Sequence, residues 1–239
     1  MNLYDGKIVL VTGTSRGIGL FIAEYFINKG ASVIGFSRSE GKIINPNYEH
    51  ICVDIGDIQQ IESAFKQIKS KYTHINYLIN NAGFSVSQHS LLIAAQAAIN
   101  MVNANFLGPF FVTKETVKLM MKTKNARIIN IGSMASKTEP SGASVYSACK
   151  SAMITLSHIF AKEYSQYSIT CNNLAVSITA LKTEMQDQLT EEIANNYTNS
   201  LVIPRRAELN DIFNVIDFFV SEKSSYITAQ TIYLGGIAN

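Results

Sequence analysis

Residues 7–19 read Lys7-Ile8-Val9-Leu10-Val11-Thr12-Gly13-Thr14-Ser15-Arg16-Gly17-Ile18-Gly19. The first half is a β-branched run ending at a glycine, the pattern of a buried strand. From Gly17 the period changes. Ile18, Phe21, Ile22, Tyr25 and Phe26 fall on one side of a helix, and Gly30 stands where such a helix stops. A glycine motif between a strand and a helix has the context of a phosphate-binding loop, whereas glycines alone would be an ordinary turn. Gly13 permits the tight turn, Gly17 lets the backbone approach a pyrophosphate, and Gly19 allows close packing of helix on strand. Ser15, Arg16 and Ile18 complete the loop, and the helix start offers free N–H groups and a positive dipole end.

Working outward, further short apolar runs occupy residues 31–37, 51–54, 76–80, 127–131, 169–175 and 231–234. Helical patterns lie between them at 57–71, 91–101, 103–123, 144–166, 184–199 and 209–221, with Asp57 as a cap. Alternating strands and helices imply right-handed crossovers and a parallel sheet. The expected fold is α/β: one doubly wound, Rossmann-type domain over residues 1–239, about seven strands with helices on both faces. In such sheets ligands bind at the carboxyl ends of the strands, near the point where strand order reverses.

Composition narrows the function classes. Hydrophobic residues make up 47% and charged residues 16%, enough for a core, and a net charge of +2 gives no pull toward nucleic acid. Cys52, Cys149 and Cys171 are widely spaced with no Cys-x-x-Cys pair, which argues against a disulfide framework or a zinc site. No metal is expected, and reduced thiols without an apolar leader point to the cytoplasm. Residues 72–113 contain no Asp, Glu, Lys or Arg. A membrane span is excluded because Asn, Gln and Ser interrupt the stretch throughout. Burial in a core or a subunit contact is expected instead.

The loop spacing Gly-x-x-x-Gly-x-Gly resembles the short-chain dehydrogenase/reductase superfamily, and the other motifs of that family follow in order. Asn80-Asn81-Ala82-Gly83 matches its Asn-Asn-Ala-Gly, and Asn105-Phe106-Leu107-Gly108 its Asn-x-x-Gly. Ser133 follows the fifth strand, and Tyr146-Ser147-Ala148-Cys149-Lys150 matches Tyr-x-x-x-Lys. The resemblance runs from about residue 5 to the end of the chain. It implies catalysis by Asn105, Ser133, Tyr146 and Lys150, and a cofactor site that includes Asn81, Ala82, Gly83, Tyr146 and Lys150.

Tyr146 and Lys150 are four apart, hence on one helix face. Alone, such a pair is usually an ordinary surface pair; the other motifs make it catalytic. A free tyrosine has a pKa of about 10, and a nearby ammonium lowers it. Tyr146 would then give its proton to a carbonyl oxygen while Ser133 stabilises the developing charge. By resemblance, Lys150 also holds the nicotinamide ribose and Asn105 anchors a water that relays protons to Lys150. Ser133, Met134 and Tyr146 are the expected substrate contacts, with Phe84 and residues 180–199 lining the pocket.

The cofactor follows from the end of the second strand. NAD enzymes usually place a carboxylate there; here stand Ser37 and Arg38. Arg38 and Arg16 suit a 2′-phosphate, although both could be solvated surface charges. NADP(H) is the expected cofactor. By resemblance Asp54, with Ile55, borders the adenine, and Thr183 contacts the carboxamide.

Within the superfamily the chain most resembles 3-oxoacyl-[acyl-carrier-protein] reductases, through Ile203-Pro204-Arg205-Arg206 and Tyr226-Ile227-Thr228-Ala229-Gln230-Thr231. That implies a small or carrier-bound carbonyl substrate, an acyl carrier protein as partner, and a homotetramer (or dimer) built on residues 103–123 and 144–166. Three departures stand out. Val176-Ser177 replaces the usual Pro-Gly, the segment from there down to Thr183, within the substrate loop of about 177–204, is longer by about two residues, and Tyr167 stands where an arginine is frequent. Lys124 could still meet an acidic carrier, although its ordinary reading is an exposed lysine. Two alternatives stay open: a reductase of a sugar, polyol or secondary-metabolite ketone, and a non-catalytic NADP(H)-sensing protein.

Overall fold

The computed structural model describes residues 2–181 and 190–237. They form one seven-stranded sheet of parallel strands in the order β3-β2-β1-β4-β5-β6-β7. The strands are β1 (Ile8–Thr12), β2 (Ser32–Ser37), β3 (Tyr48–Cys52), β4 (Tyr77–Asn80), β5 (Arg127–Ser133), β6 (Thr170–Val176) and β7 (Thr231–Tyr233). The helices are α1 (Gly17–Asn28), α2 (Ile58–Lys71), α3 (Ala95–Val102), α4 (Gly108–Met120), α5 (Ala135–Thr138), α6 (Ser144–Tyr164), α7 (Glu191–Asn199) and α8 (Leu209–Val220). The chain order leaves β1 toward β2 and resumes on its other side at β4, so the switch point lies between β1 and β4.

Alternation along the strands sends side chains into two cores. Val9, Val11, Val33, Ile79 and Ile129 pack against Ile22 and Phe26 of α1 and Ile212, Ile216 and Phe219 of α8. Leu10, Ile34, Phe36, Leu78 and Ile128 pack against Ile61, Phe65 and Ile68 of α2, Val112 and Met120 of α4, and Phe160 of α6. Each such side chain withdrawn from water contributes about 1.5–3 kcal/mol before the cost of ordering it. The Asp57 carboxylate caps α2 as expected, accepting from the amides of Gln59 (2.9 Å) and Gln60 (3.3 Å).

Several boundaries differ from the sequence reading. β3 begins at Tyr48, not at residue 51, because an edge strand needs main-chain pairing, here Val33 with Tyr48 through Ser37 with Cys52, more than an apolar run. The helix expected from residue 91 starts at Ala95, after a short 3-10 turn at Ser90–Leu92. Asn103–Leu107 is a π-helical turn joining α3 to α4. β5 runs on through Ser133, and α5 was not anticipated. The charge-free stretch is not buried as a unit: Val112 and Thr113 are, but Leu91 and Leu92 are 87% and 68% exposed. Of the helix expected over 184–199, Glu191–Asn199 is present and residues 184–189 lie outside the described residues. Cys52, Cys149 and Cys171 are free thiols. Among the described residues no helix is long and apolar enough to cross a membrane.

Candidate active site

At the switch point the glycine-rich loop after β1 is tied to the segment after β4. The Thr12 hydroxyl accepts from the backbone amides of Asn81 and Ala82, each at 3.0 Å, and Asn81 Nδ2 of the side chain donates to Thr12 O at 2.9 Å. Gly13 has φ +80°, and a Cβ there would sit 2.7 Å from Asn81 Nδ2. A Cβ on Gly19 would lie 2.3 Å from both Asn81 Nδ2 and Gly13 O. These glycines therefore admit Asn81 as well as the turn and the helix.

The first turn of α1 suits a pyrophosphate. Its N-cap, Arg16, makes no side-chain capping bond, and the turn contains no acidic residue, so nothing negative competes for the amides. Ser37 ends β2 as a buried residue, followed by exposed Arg38, and Arg16 is also exposed. No carboxylate stands at the tip of β2 to repel a 2′-phosphate. Asp54 uses Oδ1 to accept from the Gly56 amide at 2.8 Å, which shapes the turn after β3 beside buried Ile55.

Ser133, Tyr146, Lys150 and Asn105 come together at the carboxyl ends of β4 and β5. Ser133, at the last position of β5, is near enough to the Tyr146 phenol on α6 to favour its ionised form. Lys150 lies one turn beyond Tyr146 on α6, with Nζ 5.6 Å from the phenol ring centroid, and donates to Ile131 O at 3.2 Å. Asn105 occupies the π-helical turn and donates from Nδ2 to Phe84 O (2.8 Å) and Met101 O (2.9 Å). Its Oδ1 is buried with no protein partner. A Cβ on Gly83 would lie 2.4 Å from that oxygen and 3.6 Å from Lys150 Nζ, so the glycine keeps open a space that both atoms border.

One electrostatic expectation is corrected. Lys150 does not lower the Tyr146 pKa. Burial pushes the phenol up to about 12, with Tyr197 of α7 adding to the rise and Ser133 opposing it. Burial instead pushes Lys150 down to about 8. Desolvation disfavours the charged form of each, and the ammonium is directed at a backbone carbonyl.

The expected substrate contacts divide. Phe84 packs with Tyr146, Met101 and Ala135, as do Val86, Ile93 and Val145, which the motifs did not point to. Met134 is almost wholly buried, its amide donating to Val176 O at 3.0 Å, rather than facing open space. Val176 pairs with Ser133, so valine in place of proline lets β6 pair along the full length of β5. Ser177 Oγ is buried without a partner. Thr183 lies outside the described residues. Tyr167 is 41% exposed and Lys124 is exposed.

Comparison with known proteins agrees with this geometry. Residues 7–194 match the family described as short chain dehydrogenase. A 3-oxoacyl-[acyl-carrier-protein] reductase of Haemophilus influenzae is 32% identical over 238 residues, 97% of this chain and 98% of that protein. A solved structure of a blue fluorescent protein from a metagenomic library, in complex with NADPH, superposes with a TM-score of 0.87 at 25% identity over 100% of both chains. The ligand-free aldohexose dehydrogenase of Thermoplasma acidophilum gives 0.88 at 24% identity, over 98% of this chain and 94% of that one, a likeness of fold.

Proposed function

The chain belongs to the short chain dehydrogenase family, and from that premise we propose that it is an NADPH-dependent ketoreductase acting on 3-oxoacyl thioesters held on an acyl carrier protein. The observation that carries the reading is the meeting of Ser133, Tyr146, Lys150 and Asn105 beside the glycine-rich loop. Similarity along nearly the whole chain to a reductase of that substrate supports the substrate class. The NADPH held by a structural relative, together with Arg16, Arg38 and the absence of a carboxylate at Ser37, supports the cofactor.

NADPH, when bound, supplies the hydride. The amides at the start of α1 and the loop from Gly13 to Gly19 hold its pyrophosphate, with Ser15 and Ile18 in the loop wall. Ser37, Arg38 and Arg16 take the 2′-phosphate; Asp54 and Ile55 border the adenine; Asn81, Ala82 and Gly83 line the path toward Lys150. Thr183 is the proposed carboxamide contact. Tyr146, protonated because burial raises its pKa, gives its proton to the carbonyl oxygen. Ser133 donates a hydrogen bond to the same oxygen and stabilises the charge that grows there. Lys150 holds the ribose and passes a proton back to Tyr146. The unpartnered Asn105 Oδ1 accepts from a water on that relay.

The chain is proposed as one domain that assembles as a cytoplasmic homotetramer through α4 and α6, where Ile159 is 43% exposed. Exposed Lys124 is the proposed contact for an acidic carrier. The Val176-Ser177 replacement favours one second reading, reduction of a smaller sugar, polyol or secondary-metabolite ketone. Following nicotinamide absorbance with 3-oxoacyl thioesters and a panel of other ketones tests all of this. The proposal expects thioester turnover that Tyr146→Phe abolishes. Turnover confined to polyol ketones would establish the second reading. NADPH binding without any turnover would make the chain a sensing protein instead.

A further inference from the structure

Four side chains form a hydrogen-bonded row beneath the end of β2. The Tyr48 phenol donates to Thr14 Oγ1 at 2.9 Å and lies 3.2 Å from His50 Nδ1. His50 Nε2 is 3.5 Å from Ser37 Oγ, and Ser37 in turn donates to Ser39 O at 2.9 Å. The row thus joins the glycine-rich loop, through Thr14, to the tip of β2 at Ser37. It crosses two strands, with His50 on β3 opposite Gly35 on β2.

Gly35 makes the row possible. It interrupts an otherwise apolar, buried run in β2, where glycine weakens a strand unless something must approach closely. A Cβ at Gly35 would sit 2.2 Å from the Tyr48 hydroxyl oxygen and 2.6 Å from Thr14 Oγ1. The position is empty so that Tyr48 can reach Thr14. Gly41 packs on the other side, its notional Cβ 3.0 Å from the imidazole. The ring is therefore held in place from three directions.

Proton positions follow from the network. Ser37 has one hydroxyl proton and gives it to Ser39 O, so toward the ring its oxygen accepts, from His50 Nε2–H. Held in this way, the serine keeps its proton turned away from the ring, where a phosphate at the end of β2 can take it in place of Ser39 O. Resting on the NADPH reading above, we propose that His50, clamped by Tyr48, is a positioning residue of the 2′-phosphate site. It acts through Ser37, donating to the serine oxygen so that the serine proton is free to turn to the phosphate.

The titratable and charged groups around the ring are few. Tyr48 and Cys52 share its strand face, Ser37 and Thr14 face it without titrating, and Arg38, Glu40 and Lys42 are exposed on the segment that carries Gly41. Glu49 points to the opposite face, where it pairs with Lys71.

Calorimetry with 2′,5′-ADP and 5′-AMP tests the proposal apart from turnover. The unmodified chain is expected to prefer 2′,5′-ADP. His50→Ala should weaken 2′,5′-ADP roughly tenfold, as expected for a lost charge-assisted hydrogen bond, with 5′-AMP affected much less. His50→Gln keeps a donor toward Ser37 and should restore most of the preference. Tyr48→Phe keeps the ring packing and should lose part of the preference, which provides a reading if His50→Ala does not fold. Equal weakening of both nucleotides, full preference kept in His50→Ala, or no recovery of preference in His50→Gln would each overturn the inference alone. An unmodified chain without preference for 2′,5′-ADP would overturn the NADPH reading and the inference with it.

Discussion

The Lys150 ammonium nitrogen lies 5.6 Å from the centre of the Tyr146 ring, yet its hydrogen bond goes to Ile131 O at 3.2 Å. The two residues share a helix face, and the ammonium's hydrogen bond runs to the backbone rather than to the phenol. Burial acts on them in opposite directions, up to about 12 for the phenol and down to about 8 for the ammonium. As pH rises from neutrality, the lysine is therefore the first of the pair to lose a proton.

That order predicts the pH profile. If the ammonium is needed to hold the ribose and feed the relay, kcat/KM for NADPH-dependent reduction should decline with a midpoint near pH 8, the value set by burial of Lys150. Tyr146 stays protonated well above this, so the falling limb belongs to lysine. Rates measured from pH 6 to 10 check the assignment; a profile flat to pH 10 would remove Lys150 as the titrating group.

The same burial makes Lys150 a cost to the fold. Its folded pKa of about 8 lies below the ordinary value of 10.5, so below pH 8 the folded chain carries a buried charge that the unfolded chain solvates. The penalty fades as pH rises from 8 to 10.5, where the unfolded state holds the extra proton and stability increases. Lys150→Met should therefore raise unfolding free energy by about 1–3 kcal/mol at pH 7 while abolishing turnover. Urea unfolding at pH 7 and pH 10 should show the gain shrinking at the higher pH. A gain equal at both would mean better packing rather than relief of charge.

Much of this arrangement was legible in the sequence, for identifiable reasons. α1, α2 and α8 each bury one side, so their periods stand out, and β1, buried on both faces, reads as an unbroken apolar run. Tyr146 and Lys150 needed only the i, i+4 spacing to be placed together. The start of β3 was hidden because Tyr48, Glu49 and His50 are polar and held by an edge ladder. The π-helical turn that carries Asn105 leaves no periodic mark, since it lies within a stretch with no charges to reveal a solvent face. The direction of the Tyr146 shift was out of reach because it depends on how deeply the phenol is buried, which motif spacing does not encode. The row from Thr14 to Ser37 joins three segments, and only the β2–β3 register brings them together.

Cofactor choice provides a third prediction. With Ser37 and Arg38 at the end of β2, and Arg16 in the glycine-rich loop, the unmodified chain should use NADPH well ahead of NADH. Arg38→Asp replaces an exposed cation with a carboxylate that repels a 2′-phosphate and accepts from a 2′-hydroxyl. The ratio of kcat/KM for NADPH over NADH should drop by about 10–100-fold, or 1.4–2.8 kcal/mol. Equal use of both cofactors by the unmodified chain would sink the assignment.

A last prediction concerns an anchor far from the chemistry. Tyr4, ahead of β1, and Tyr25, on α1, both donate their phenols to the Asp217 carboxylate on α8, Tyr4 to Oδ1 and Tyr25 to Oδ2, the latter at 2.6 Å. Tyr4 is 4% exposed and packs on Phe26 and Tyr77, so little solvent reaches it to replace a lost partner. Tyr4→Phe removes one bond to a carboxylate that keeps the other and should cost about 1–2 kcal/mol. Asp217→Ala strands a buried phenol and should cost more, about 2–4 kcal/mol. In the double variant the two losses should fall short of additivity, since the phenol that Asp217→Ala strands is already gone. The pH dependence has a definite sign. Burial and the adjacent Asp217 raise both phenols above their ordinary value of 10.0, so the folded chain keeps protons that the unfolded chain releases. This stabilisation is complete below pH 10 and is lost as pH climbs beyond it. Urea unfolding of the parent and Tyr4→Phe chains between pH 8 and 11 should show the parent falling more steeply at the alkaline end. Parallel curves would mean that Tyr4 contributes through its ring alone.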